Sequence, residues 1–113
     1  MKLVDQHCVH GVPALDEAGL AAALAALPGW QRIDHPGGNR IEREYVFKDY
    51  HETIAFVNRL AAMIHGEDHH PELRVRYRHC LVAWTTHSAG NRISNNDIIC
   101  AAKADAIYEE RSA

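Results

Sequence analysis

Paired cysteines are missing from this chain. Cys8, Cys80 and Cys100 are odd in number and widely separated, with no C-x-x-C among them. That argues against a disulfide framework and fits a reducing compartment. A basic excess is also missing: 12 Lys and Arg stand against 15 Asp and Glu, for a formal net charge of -3. A nucleic-acid binder needs a basic face, so no nucleic-acid partner is expected. Any part in transcription would run through contact with another protein. The longest apolar run, Leu20 to Leu27, is mostly alanine and far short of the roughly 20 residues that span a bilayer, so no membrane association is expected. Met1 to Val4 meets a charge at Asp5 before any apolar run develops. This predicts no secretory signal and a cytoplasmic location. There is no internal repeat, low-complexity stretch or interdomain linker, and no H-E-x-x-H zinc motif.

Histidine, by contrast, is abundant: nine residues in 113. Two are adjacent and followed by proline, His69-His70-Pro71, and another closes Thr85-Thr86-His87. Imidazole is the side chain whose unperturbed titration falls near neutrality, so a cluster can both take and give a proton. The length suits one domain, read as residues 15–113 behind an N-terminal arm, 1–14, of weak periodicity. A core this modest is helped by oligomerisation.

Asp16 is placed to cap a helix carrying Leu20, Leu24 and Leu27, which Pro28-Gly29 stops. Trp30 to Ile33 reads as a strand, His35 to Asn39 as a turn, and Ile41, Tyr45 and Phe47 as the inner face of a second strand interrupted by Arg43. Asp49 with Glu52 resembles a capping box before a long helix whose expected buried stripe is Ile54, Val57, Leu60, Ala61 and Ile64. Pro71 prevents helix past His70. Leu73, Val75 and Tyr77 alternate with Arg74, Arg76 and Arg78, and Cys80 to Thr86 forms the last strand. Ser94 and Asp97 cap a final helix that turns Ile98, Ala101 and Ala102 inward. Hairpins rather than crossovers predict an α+β fold: a four-stranded antiparallel sheet with helices on one face, in the order α-β-β-α-β-β-α.

A hairpin turning on Arg78 and His79 would pair Tyr77 with Cys80, Val75 with Val82, Leu73 with Trp84 and, by extension, His70 with His87. Opposed residues have Cβ atoms about 5 Å apart. The long helix ends at the same place, and a helix C-terminus favours a protonated imidazole while burial disfavours it. Histidines in unequal surroundings can hold different protonation states at one pH, as acid–base catalysis requires. Asp97 is placed to orient an imidazole or to bind a donor-rich ligand.

At these residues the sequence resembles the pterin-4a-carbinolamine dehydratase family, from about Leu15 to Tyr108. The likeness is carried by Glu67-Asp68-His69-His70-Pro71-Glu72, by Tyr77, by Thr85-Thr86-His87, by Asn96-Asp97 entering Ile99 to Lys103, and by Leu27-Pro28-Gly29-Trp30 before the first strand. The resemblance implies dehydration of 4a-hydroxytetrahydropterin to the quinonoid dihydropterin with no metal or other cofactor, recycling the pterin of aromatic amino acid hydroxylases. It implies His69, His70 and His87 as catalytic imidazoles, and Pro71, Thr86, Ser88, Ala89 and Asp97 around the pterin. His65 stands where many members carry glutamate, and is placed with the substrate-binding residues. The loop Gly90 to Ile93 is one residue longer than the family's usual Gly-Gly-Leu turn. The resemblance also implies a homodimer joined at sheet edges, or a homotetramer through helices. Its alternative is a non-catalytic dimerisation module on the same fold, since some relatives serve as cofactors of a transcription factor.

Other residues have plainer readings. His65 and His69 are spaced as a helical zinc pair would be, with no thiols placed to help. His7, His10, His35, His51 and His79 are expected at the surface and Trp30 and Trp84 in the core. Glu42 and Glu44 could meet Arg74 and Arg76 across the sheet. The cysteines read as small hydrophobes.

Overall fold

The computed structural model describes residues 1–111. Local capping sets its helices. Asp16, in extended backbone, accepts the Gly19 N–H at 2.7 Å and starts α1 (Glu17–Ala25). Asp49 does the same with the Glu52 N–H at 2.8 Å for α2 (Tyr50–Glu67). The return contact of a capping box goes one residue astray: Glu52 Oε1 accepts from Lys48 at 3.4 Å. Ser94 and Asp97 form a complete box at the start of α3 (Asn95–Glu109).

The strands are β1 (Gln31–His35), β2 (Gly38–Val46), β3 (Glu72–Val75) and β4 (His79–Trp84). They form one antiparallel sheet in the order β1-β2-β4-β3. The fold is the expected α+β arrangement, α-β-β-α-β-β-α. Side chains from all three helices join one core with Trp30, Ile41, Tyr45, Phe47, Val82 and Trp84. Arg43 faces inward because α3 supplies its partner: the guanidinium sits 2.7 Å from Asp105 and lies over the Tyr45 ring at 4.6 Å.

The β3–β4 register differs from the expected one. Val75 pairs with Cys80, Leu73 with Val82 and Glu72 with Ala83, a slip of two residues. Two-residue hairpin turns need positive φ, hence Asn or Gly; Arg78 and His79 offer neither. The turn lengthens, closed by Arg76 N–H to His79 O at 2.8 Å, while His79 is retained in β4 by pairing with Val46. A slip of two preserves which face each side chain takes. It does mean that His70, which precedes β3, is not the ladder partner of His87.

The α2 stripe is also corrected. Its buried positions are Thr53, Phe56, Leu60 and Ile64, whereas Ile54 and Val57 are half-buried and Ala61 is exposed. Phe56 decides the rotation, since its ring packs 4.8 Å from Tyr45 and 5.2 Å from Phe47. Thr53 is tolerated inside because its hydroxyl reaches the carbonyls of Asp49 and Tyr77 at 2.9 and 3.1 Å.

Candidate active site

The site is built outward from the first turn of α3. Asp97 is fully buried. Its Oδ2 accepts the Ser94 N–H and the Thr86 hydroxyl, each at 2.8 Å, and so satisfies an orphan donor of the helix start. Its Oδ1 is left for His69, whose Nε2 lies 2.6 Å away. His69 reaches that point because α2 stops: Asp68 adopts a left-handed conformation, φ 51°, and its N–H closes on Ile64 O. The His69 ring then stacks on Trp84, with centroids 5.5 Å apart and planes 12° from parallel. Burial opposes charge on His69, but the hydrogen bond and negative charge of Asp97 outweigh it, aided by Cys8. The net effect raises His69 above its ordinary value of 6.5.

His87 is held differently. It begins a single 3₁₀ turn, His87–Ala89, that ends at Gly90 with positive φ. Its Nδ1 lies 2.8 Å from Asn91 Oδ1. An amide oxygen only accepts, so the tautomer of His87 that makes this bond is the one with its proton on Nδ1, which leaves the lone pair at Nε2. Asn91 is itself left-handed, φ 59°, a conformation Asn tolerates better than most residues. The hairpin tip of β1 and β2 holds this loop: Asn39 N–H donates to Asn91 O at 3.0 Å, and Asn39 Oδ1 accepts the Ile93 N–H at 2.8 Å. The close approach requires glycine at position 38, where a Cβ would fall 1.9 Å from Asn91 O.

His69, His70 and His87 border one open cleft of about 330 Å³, with Thr85, Thr86 and Ser88 on the same wall. That volume lies within the range of small-molecule sites, about 300–1,000 Å³. His70 is exposed and also borders a second cleft of about 420 Å³ with Pro71, Glu72, His35 and Arg40. Asp97 lies beneath the first cleft and acts on it through His69 and Thr86. Ala89 and His65 border neither cleft. His65 is exposed on the last turn of α2. His69 follows the helix end, so the two share no helical face and the zinc-pair spacing has no geometric basis.

The rest of the lining was not legible in the sequence: Cys8 to Gly11, together with Glu67 and Asn96. The arm is pinned there by Glu67 Oε1 on the Cys8 N–H at 2.8 Å, and by a reciprocal pair between Asn96 and the Val9 backbone at 3.1 and 2.8 Å. Burial favours a protonated Glu67, but the Cys8 N–H, His7 and Lys103 together hold its carboxyl below the ordinary 4.5. Weak periodicity in residues 1–14 gave no signal of this; Asn91, beside a glycine in the lengthened loop, was the one detectable clue to the support of His87.

Residues 13–107 match the family model described as pterin 4 alpha carbinolamine dehydratase. Among curated relatives, a protein of Stenotrophomonas maltophilia provisionally named pterin-4-alpha-carbinolamine dehydratase is 48% identical over 96 residues, 85% of this chain and 80% of the relative. One of Nitrosomonas eutropha with the same provisional name is 48% identical over 99 residues, 87% of this chain and 83% of its own length. A Brucella melitensis crystal structure described as a transcriptional coactivator/pterin dehydratase aligns with TM-score 0.77 at 36% identity, covering 83% of this chain and 97% of the other. A pterin dehydratase-like RuBisCO assembly factor of the alpha-carboxysome aligns with TM-score 0.60 at 21% identity, over 71% of this chain and 89% of its own, a likeness of fold alone.

Proposed function

Because the chain belongs to the pterin 4 alpha carbinolamine dehydratase family, we propose that it dehydrates 4a-hydroxytetrahydropterin to quinonoid dihydropterin and water by histidine acid–base catalysis. The chemistry is a proton exchange around one bond. The N5 proton leaves to a base, the C4a=N5 double bond forms, the C4a–O bond breaks, and the departing oxygen takes a proton from an acid. His87 is the base, through Nε2. His69, its proton held more tightly because of Asp97, is the acid, and His70 at the rim orients the pterin. The two imidazoles return to their starting states by exchange with solvent. Each positioned group of this kind contributes about 100- to 10,000-fold. No metal or other cofactor enters the proposed step.

The observation that carries the reading is that the imidazoles of one cleft have unlike partners, a buried carboxylate for His69 and an amide oxygen for His87. In the cell the reaction would restore the pterin oxidised by an aromatic amino acid hydroxylase, in the cytoplasm. Among the described residues, no helix is long and apolar enough to cross a membrane. Edge strands β1 and β3 invite pairing, and assembly as a homodimer or homotetramer is part of the proposal.

The test is a rapid-mixing assay on freshly formed 4a-hydroxytetrahydropterin. Loss of the carbinolamine should accelerate in proportion to protein concentration. A rate equal to the spontaneous one would overturn the catalytic reading and leave the non-catalytic binding module.

A further inference from the structure

We propose that Cys8 and Cys100 form an intrachain disulfide when the protein meets a hydroperoxide, tying the N-terminal arm covalently to α3 beside the cleft. The two Sγ atoms lie 3.4 Å apart although 92 positions separate them in sequence. A disulfide needs about 2.05 Å, so a small approach of the arm suffices. The arm is already seated for it by the Glu67 and Asn96 contacts that flank Cys8. Cys8 borders the open cleft and is half-buried, so a small peroxide can reach it. Cys100 is fully buried beneath.

The pair divides the two roles of such a reaction. The hydrogen bond shared with Cys100 lowers Cys8 against the opposing effect of burial, with help from the positive charge His69 can carry. The same bond and burial push Cys100 up. Thiolate is the reactive form, which makes Cys8 the nucleophile. Its sulfur attacks one peroxide oxygen; the S–O bond forms as the O–O bond breaks, giving a sulfenic acid, and the departing hydroxide or alkoxide takes the proton that Cys8 released, leaving as water or as alcohol. Cys100 sulfur then attacks the sulfenic sulfur and expels hydroxide, which takes the Cys100 proton and leaves as a second water. The peroxide is reduced and two thiols are oxidised to one disulfide. Cys80, fully buried and pushed up to about 11 by burial, takes no part.

The experiment treats the full chain with hydrogen peroxide and counts thiols after unfolding. The count should fall from three per chain to one, with a Cys8–Cys100 cross-linked peptide by mass spectrometry and full recovery on reduction. Cys80→Ala should behave like wild type. Cys100→Ser should stop at a sulfenic acid on Cys8 that dimedone traps, and Cys8→Ser should keep both remaining thiols. Three surviving thiols in the wild type, a link between chains instead of within one, or a reaction that requires Cys80 would overturn the proposal. The readout is independent of turnover, so it stands or falls apart from the dehydratase reading.

Discussion

Asp97 and His69 meet at 2.6 Å between a fully buried carboxylate and a ring nitrogen, and the same carboxylate closes the capping box of α3. One residue therefore starts a helix and raises the pKa of an imidazole at the cleft.

Asp97→Asn separates these two roles. Asparagine keeps an oxygen for the Ser94 N–H but loses the charge, so His69 should titrate lower and turnover should drop about 100-fold or more. A group whose folded value is raised contributes stability that is complete below its unfolded value and disappears as pH rises through the folded one. The His69 contribution is therefore full below about 6.5 and is lost only as pH rises through the higher folded value. Urea unfolding of wild type and variant should differ most on the acid side of that value and converge as His69 deprotonates. A difference that grows with rising pH would contradict the assignment.

His87→Ala and His70→Ala remove exposed side chains, so unfolding midpoints should stay near wild type. The His87 variant should lose about 100- to 10,000-fold in kcat as a missing base, and the His70 variant should lose mainly through KM. Asn91→Ala removes one hydrogen bond, worth about 1 kcal/mol, so a loss of about fivefold in turnover is expected, and because alanine is strained at φ 59° its melting midpoint should fall as well. Steady-state kinetics with thermal melts check all three.

Gly38→Ala tests how the loop is held. A methyl group there falls 1.9 Å from Asn91 O at a backbone φ of 151°. The variant should lose more than about 1 kcal/mol of stability, and turnover should fall with it as the support of His87 shifts. A variant as stable and active as wild type would show that this contact does not position the loop.

Glu67→Gln tests the arm. A lowered carboxyl contributes stability above its unfolded value and loses it as pH falls through the folded one. The wild-type arm should therefore stay docked at and somewhat below pH 4.5 and release in stronger acid. Hydrogen exchange at Cys8 and Val9 should be faster in the variant at neutral pH. Equal protection in both proteins would show that Glu67 does not hold the arm.

How far the sequence could be read depended on the range of each interaction. Asp16, Asp49 and Ser94 act within three residues of themselves, so helix starts and the element order were legible. The β3–β4 register depended on a turn with no strong signature and on the pairing of His79 with Val46 across the sheet, which local pattern does not encode. The α2 stripe was decided by where Phe56 could find other rings. At the site, the spacing of His69, His70 and His87 and the cap at Asp97 placed these residues at one end of the fold. The contact of Asp97 with His69, the hold of Asn91 on His87 and the wall built by Cys8 to Gly11 arise only when distant segments pack.

Ring-nitrogen NMR of the histidines across pH tests most directly whether the cleft holds imidazoles with unlike grips on their protons. His69 should show a midpoint above 6.5 that falls in Asp97→Asn, and the neutral tautomer of His87 should be the one protonated on Nδ1. A His69 midpoint at or below that value, or a neutral His87 carrying its proton on Nε2, would contradict this.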